Sequence, residues 1–284
     1  MKRVLAISGG VDSMVLLDFC VKNFSNDELI VAHFDHGTRP SSKNDFDFVR
    51  KIAKKYNVEF VGKHAELGAG VSEEKAREER YRFLFDVVSE NSGTLLTAHH
   101  LDDLVESVVI NFMRGTGIRG LAVMNNSDIE RPFLSWTKKD ILRYAAENEI
   151  IFREDPTNSS DDYLRNRIRF SVRNLNFETK QEILALRNKQ VEVLKQIHNE
   201  VDEILKENTK KLENGMYQVS RSVFNIDDDV AIEILKKLLA RKNISCTRPQ
   251  LVNFLAAIRE YQPGKKFNLP HNKLVKIHKN YFVL

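Results

Sequence analysis

Ser8-Gly9-Gly10-Val11-Asp12-Ser13 stands between a short apolar run, "RVLAI", and an apolar-periodic segment, "MVLLDFCVKNF". Adjacent glycines let a backbone approach an anion closely, serine hydroxyls add donors, and a helix starting here turns its free N–H groups toward the same point. The chemistry these residues suit is the binding of phosphate. The loop is neither GxxxxGK[ST], since no lysine follows its glycines, nor GxGxxG. A plain tight turn would need the glycines but not the polar Asp12 and Ser13 behind them.

A second cluster lies in "TAHHLDDLVES", which holds His99, His100, Asp102, Asp103 and Glu106. Asp103 and Glu106 are three positions apart and share a face if the segment is helical. Two such carboxylates can bind a cation such as Mg²⁺ or accept a proton. Acidic residues at a helix start also complement its dipole, and the pattern alone does not separate these roles. His33, His36, His99 and His100 lack the cysteines or the HExxH spacing of a zinc site. His36 stands near the expected end of the second strand, where ligands gather, and His33 is expected to be a core histidine. Arg77, Arg80 and Arg114 are candidates for binding phosphate or steadying developing charge.

These residues need a scaffold. Short runs rich in Val, Ile and Leu ("RVLAIS", "LIVAHF", "VEFVG", "TLLTAH") alternate with segments of helical period ("DSMVLLDFCVKNF", "DFVRKIAKKY", "EERYRFLFDVVSE", "LVESVVINFM"). Such alternation predicts an α/β fold, a twisted parallel sheet with helices on both faces, whose ligands sit at the carboxyl ends of the strands. All the chemistry-bearing loops follow strands. Thr137 is expected to cap the helix "KKDILRYAAENE".

The expected organisation is a catalytic domain over 1–177, a long linker helix over 178–212, and a small, mostly helical carboxy-terminal domain over 213–284. Beyond Gly215 the pattern gives a short extended piece, two helices and a strand-like tail. Four arginines and no acid lie between Tyr163 and Arg173, and five lysines and no acid between Tyr261 and Leu284. Arg165, Arg167, Arg169, Lys265, Lys266 and Lys276 are the candidates for contacting a polyanion. The net charge of +4 permits such a partner. With 284 residues, 42% of them hydrophobic, the chain can bury a sizeable core, and no apolar run reaches the ~18 residues of a membrane span. A cytoplasmic protein is expected. Cys20 and Cys246, far apart and in no CxxC pair, suit neither a disulfide framework nor a dithiol site.

The SGGVDS loop resembles the SGGxDS signature of the PP-loop ATP pyrophosphatases, which are adenine nucleotide alpha hydrolase-like in fold. "HFDHGTRPSS", "AREERYRF", "TAHHLDDLVES", "RGTGIRGL", "RPFL" and "EDPTNSSDDYLRNRIR" follow in the order found in bacterial tRNA(Ile)-lysidine synthetases. The likeness covers roughly residues 1–175. It departs from the usual pattern at Thr38, Leu104 and Ser107, where leucine, glutamine and threonine are common. The resemblance implies a ligase that forms a carbon–nitrogen bond. ATP adenylates the wobble cytidine of a CAU-anticodon isoleucine tRNA, free lysine attacks through its ε-amine, and AMP and pyrophosphate are released. Implied cofactors are ATP and Mg²⁺, the latter held through Asp12 and Asp103. Ser8, Gly9, Gly10, Val11, Asp12, Ser13, His36 and His100 would bind the nucleotide, and Asp12, Asp103, Glu106, Arg77 and Arg114 would carry catalysis. Two alternatives are a PP-loop tRNA thiolase, which normally needs catalytic or cluster-binding cysteines, and a non-catalytic tRNA-binding module.

Overall fold

The computed structural model describes residues 1–37, 42–68, 70–153 and 163–284, which divide into two compact units, Met1–Gln190 and Val191–Leu284. In the first unit the order is β1 (Arg3–Ala6), α1 (Val11–Asn23), β2 (Leu29–Asp35), α2 (Ser42–Lys55), β3 (Glu59–His64), α3 (Glu73–Glu90), β4 (Thr94–Leu96), α4 (Leu101–Met113), α5 (Ile118–Leu121), β5 (Ile129–Glu130), α6 (Lys138–Glu147) and α7 (Tyr163–Asn174). The division falls within α8 (Phe177–Asn208).

The first sheet is wholly parallel, in the order β3-β2-β1-β4-β5. The period of two sends successive side chains to opposite faces. Val4, Ile30, Ala32 and Leu95 pack with Phe83, Leu84 and Val87 of α3, while Leu5, Val31 and Leu96 pack with α1, Val49 and Ala53 of α2, and Ile141 and Ala145 of α6. Both faces are therefore covered by helices, as a parallel sheet requires. The two-residue strand β5 has no legible period, and the sequence reading passed over it. The direction of strand addition reverses between β1 and β4. The loops after those strands, SGGVDS and AHHLDD, flank the crevice where ligands bind in open α/β sheets.

α4 packs on α7 through Leu101, Leu104, Val105, Val108, Ile168 and Val172. Two of the unusual positions in this region are explained by packing. Leu104 is fully buried in that cluster, and the Ser107 hydroxyl donates back to Asp103 O at 2.9 Å. Thr38 and the segment 154–162 lie outside the described residues.

In the second unit β6 (Thr209–Lys211), β7 (Tyr217–Ser220), α9 (Asp228–Ala240), α10 (Arg248–Glu260), β8 (Lys266–Leu269), β9 (Lys273–Ile277) and β10 (Tyr281–Val283) follow the end of α8. The strands form an antiparallel sheet in the order β6-β7-β10-β9-β8. One face of it packs Val219, Val275, Ile277 and Phe282 against α8, α9 and α10. The expected helix over 178–212 gives way to strand β6 at Thr209, where β7 offers backbone partners. The expected extended piece is β7 and the expected tail is β8, β9 and β10, four of the five strands of this one sheet. No helix among the described residues is long and apolar enough to cross a membrane.

Candidate nucleotide site at three helix starts

Gly9 takes φ +95°, a backbone region that side chains other than glycine's rarely adopt, and Gly10 caps α1 in an extended conformation. A Cβ on Gly9 would also come within 3.4 Å of Val49 Cγ2. Ser13 holds the loop from inside. Its Oγ accepts from the Ser8 N–H (3.2 Å) and the Gly9 N–H (3.1 Å) and donates to Gly10 O (2.8 Å). In this arrangement the Ser13 hydroxyl proton is directed at Gly10 O, within the loop itself. The Arg153 N–H closes the loop from outside on Gly9 O at 2.9 Å. Met14 N–H is the first to bond within α1, to Gly10 O. The N–H groups of Val11, Asp12 and Ser13 precede it and have no acceptor in the helix, which leaves them for an anion.

Two further helices begin beside this one. α4 is capped by His100 in a reciprocal box with Asp103. His100 N donates to Asp103 Oδ2 (3.0 Å) and Asp103 N to His100 Nδ1 (3.4 Å). That leaves His100 Nε2 to donate, and it lies 3.8 Å from Asp12 Oδ1 and 3.6 Å from Asp103 Oδ2. α6 is capped by Thr137, as expected, in a box with Asp140. Its first residue, Lys138, reaches Asp12 Oδ1 with Nζ at 2.5 Å, and its N–H donates to Asp102 Oδ2 at 2.7 Å. Asp102 is buried and also accepts from Lys180 Nζ of α8 at 2.6 Å. Burial alone would raise the Asp102 pKa, but the Lys180 ammonium, the Lys138 N–H and His100 together hold it below the usual carboxylate range. The starts of α1, α4 and α6 are therefore locked to one another by Asp12, His100, Lys138 and Asp102, and their positive ends are brought together.

Lys138 was passed over in the sequence. A signal was available, because lysine in the first turn of a helix opposes the dipole and such a placement needs a compensating anion.

Asp103 is the partner of His100 in the capping box of α4, and His100 Nε2 lies within 4 Å of both Asp103 and Asp12. Glu106, one turn on and buried, accepts from Arg169 Nε at 3.3 Å, so Arg169 is turned to α4. The side chains of Arg165 and Arg167 lie outside the described residues. His99 is hydrogen-bonded to Thr97 (2.8 Å). Burial pushes its pKa down to about 4, Asp103 opposing and Arg131, Arg77 and Arg80 adding to the shift. Arg77 lies over the Tyr81 ring at 4.8 Å and near His99 and Arg131. Arg131 of "RPFL" donates to the carbonyls of Met124, Asn126 and Ile129, bracing the turn before β5. His36 Nδ1 is buried without a partner among the described residues. Arg114 caps the other end of α4, about 20 Å along the helix from His100. The fold does not bring Arg114 to Asp12. His33 is a core histidine bonded to Ile7 O at 2.7 Å.

In the second unit Lys266 and Lys276 stand directly opposite each other on β8 and β9, and Lys265 lies over the Tyr261 ring at 5.4 Å.

A family model described as the PP-loop domain matches residues 1–176. A tRNA(Ile)-lysidine synthase of Thermosipho africanus is 38% identical over 180 residues, 60% of this chain and 42% of that protein. A tRNA(Ile)-lysidine synthase of Mycoplasma mycoides is 29% identical over 100% of this chain and 73% of that protein. Against the first group of relatives the match spans only about two-fifths of their length. Among solved structures, a U34-tRNA thiolase of Methanococcus maripaludis superposes with a TM-score of 0.58 at 21% identity, covering 68% of this chain and 72% of that one, a likeness of fold.

Proposed function

The chain belongs to the PP-loop domain family, and from that premise we propose that it is a tRNA(Ile)-lysidine synthetase, a cytoplasmic ligase acting on the wobble cytidine of a CAU-anticodon isoleucine tRNA. The observation that carries the choice of acceptor is the alignment with the Mycoplasma mycoides synthase along all of this chain. The cysteines favour this reading over sulfur transfer. Cys20 is buried inside α1 with its thiol pushed up to about 12 by burial, and Cys246, also raised by burial, lies in the other unit. Burial disfavours the thiolate at both, and they do not form a pair.

In the first step the cytidine carbonyl oxygen attacks the α phosphorus of ATP, the α–β bridging bond breaks, and pyrophosphate leaves. The N–H groups of Val11, Asp12 and Ser13 and the positive ends of three helices supply fixed dipoles for phosphate oxygens, and such preorganised donors stabilise charge without reorganising. Asp12 and Asp103, both within 4 Å of His100 Nε2, fit the one or two carboxylates that Mg²⁺ takes alongside phosphate oxygens. Bound there with ATP, Mg²⁺ would neutralise the phosphates.

In the second step the lysine amine attacks the ring carbon, the carbon–oxygen bond breaks, and AMP departs with the oxygen. We assign the recognition of the lysine ammonium and the acceptance of its proton to Asp103 and Glu106, which lie a turn apart on α4, with Arg169 orienting Glu106. Arg77, in the cationic group beside His99, steadies the departing phosphate. His36, whose Nδ1 has no partner among the described residues, meets the nucleotide. The lysines of the second unit take the tRNA backbone.

The test is incorporation of radiolabelled lysine into an unmodified CAU-anticodon isoleucine tRNA transcript with Mg-ATP. Label that disappears when the wobble cytidine is replaced supports the reading. Release of AMP and pyrophosphate without label would assign a different acceptor or nucleophile.

A further inference from the structure

We propose that Lys138 is the phosphate-binding cation of the site: with no nucleotide present it neutralises Asp12, and on nucleotide binding it passes to the oxygens of the β phosphate and frees Asp12 for the accompanying cation. The proposal rests on the ATP reading above. SGGVDS contains no cation, and no lysine follows its glycines. The fold supplies one from α6, 126 positions away, with Nζ on Asp12 Oδ1. The stem of that lysine is held independently of the ion pair. Its N–H is bonded to the buried Asp102, and Thr137 and Asp140 cap the helix it opens. The ammonium is therefore free to change partner while its backbone stays in place. Its side chain is 28% exposed and that of Asp12 36%, so the pair lies at the mouth of the site, where ligand can reach it. Asp12 Oδ1 also has His100 Nε2 3.8 Å away, so Lys138 is not its sole neighbour among the described residues. A polyphosphate brought against the starts of α1, α4 and α6 carries more negative charge than one carboxylate, and an ammonium positioned between the two moves toward it.

The experiment is calorimetric titration of the full chain with Mg-ATP and, separately, with AMP. Lys138→Met is expected to weaken ATP binding by about tenfold or more while AMP affinity changes by less than about twofold, and Lys138→Arg to restore most of the ATP affinity. Equal losses for ATP and AMP would mean that Lys138 only holds the site together, and no loss for either would mean that it touches no phosphate. Each result overturns the proposal. A wild-type chain that binds neither nucleotide would overturn the ATP reading itself. A measurement on the unaltered chain guards against misfolding of the variant. Acetylation of Lys138, read by peptide mass spectrometry, should be slowed by inorganic pyrophosphate and not by AMP, and an unchanged rate with pyrophosphate also overturns the proposal.

Discussion

Asp102 and Lys180, 78 positions apart, meet in the interior of the first unit with Nζ 2.6 Å from Oδ1, both side chains nearly inaccessible. This pair ties α8 to the start of α4, and through the Lys138 N–H it also reaches α6. Removing one member of a buried pair strands the other charge. Asp102→Asn is expected to destabilise the chain by about 3 kcal/mol and Lys180→Met by a similar amount. The double variant should lose clearly less than the sum, with a coupling of about 2 kcal/mol. Urea denaturation measures all three, and additive losses would refute the pairing. Because the Asp102 pKa is held low, its contribution is present above the ordinary carboxylate range and fades as the pH falls through the folded value.

Gly9→Ala places a Cβ at φ +95° and against Val49. The strain is about 1 to 3 kcal/mol, and the loop relieves it by losing the shape that presents its N–H groups. ATP binding by equilibrium dialysis should drop sharply with little change in the melting of the second unit. Normal ATP affinity in this variant would place the phosphates elsewhere.

His99 remains neutral well into the acid range, its pKa pushed down to about 4 from an ordinary 6.5 by burial. Between those values the unfolded chain holds a proton there that the folded chain does not. Its contribution is therefore intact above about pH 6.5 and declines as the pH falls toward 4, on the order of 2 to 3 kcal/mol in all. His99→Gln should flatten this part of the stability profile. Parallel profiles for wild type and variant would show that the group does not titrate as described.

Lys266→Glu with Lys276→Glu reverses two adjacent exposed charges, one on the edge strand β8 and one on its neighbour β9. If these lysines meet phosphates, tRNA affinity falls and the slope of log affinity against log salt decreases by about 1 to 2. Filter binding at several salt concentrations gives both quantities. An unchanged slope would remove this surface from the tRNA interface.

Asp12→Ala removes the carboxylate shared by Lys138 and His100. Pyrophosphate release from ATP should fall by at least about a hundredfold, since a charge placed for the transition state is lost. Retained release would exclude Asp12 from the phosphate chemistry.

The order of local structure was legible in residues 1–150 because the strands and most helices carry their own pattern: Val4 and Leu5 face opposite layers, and α1, buried at each of Met14, Val15, Leu16 and Leu17, reads as a helix enclosed on most sides. SGGVDS could be read because glycine at a positive φ and free N–H groups at a helix start are local properties. The strand β5 and the second sheet were less legible, since a strand of two to five residues acquires its identity from partners far along the chain. By itself, then, the sequence determined the strand-helix alternation, the glycine loop SGGVDS at the start of α1 and the carboxylates of α4. Only the tertiary structure decided that Lys138 meets Asp12, that Lys180 meets Asp102, that Arg169 serves Glu106, and that Arg114 ends far from the loop. An ion pair is formed by side chains whose separation is fixed by how helices pack, and no spacing along the chain encodes that distance.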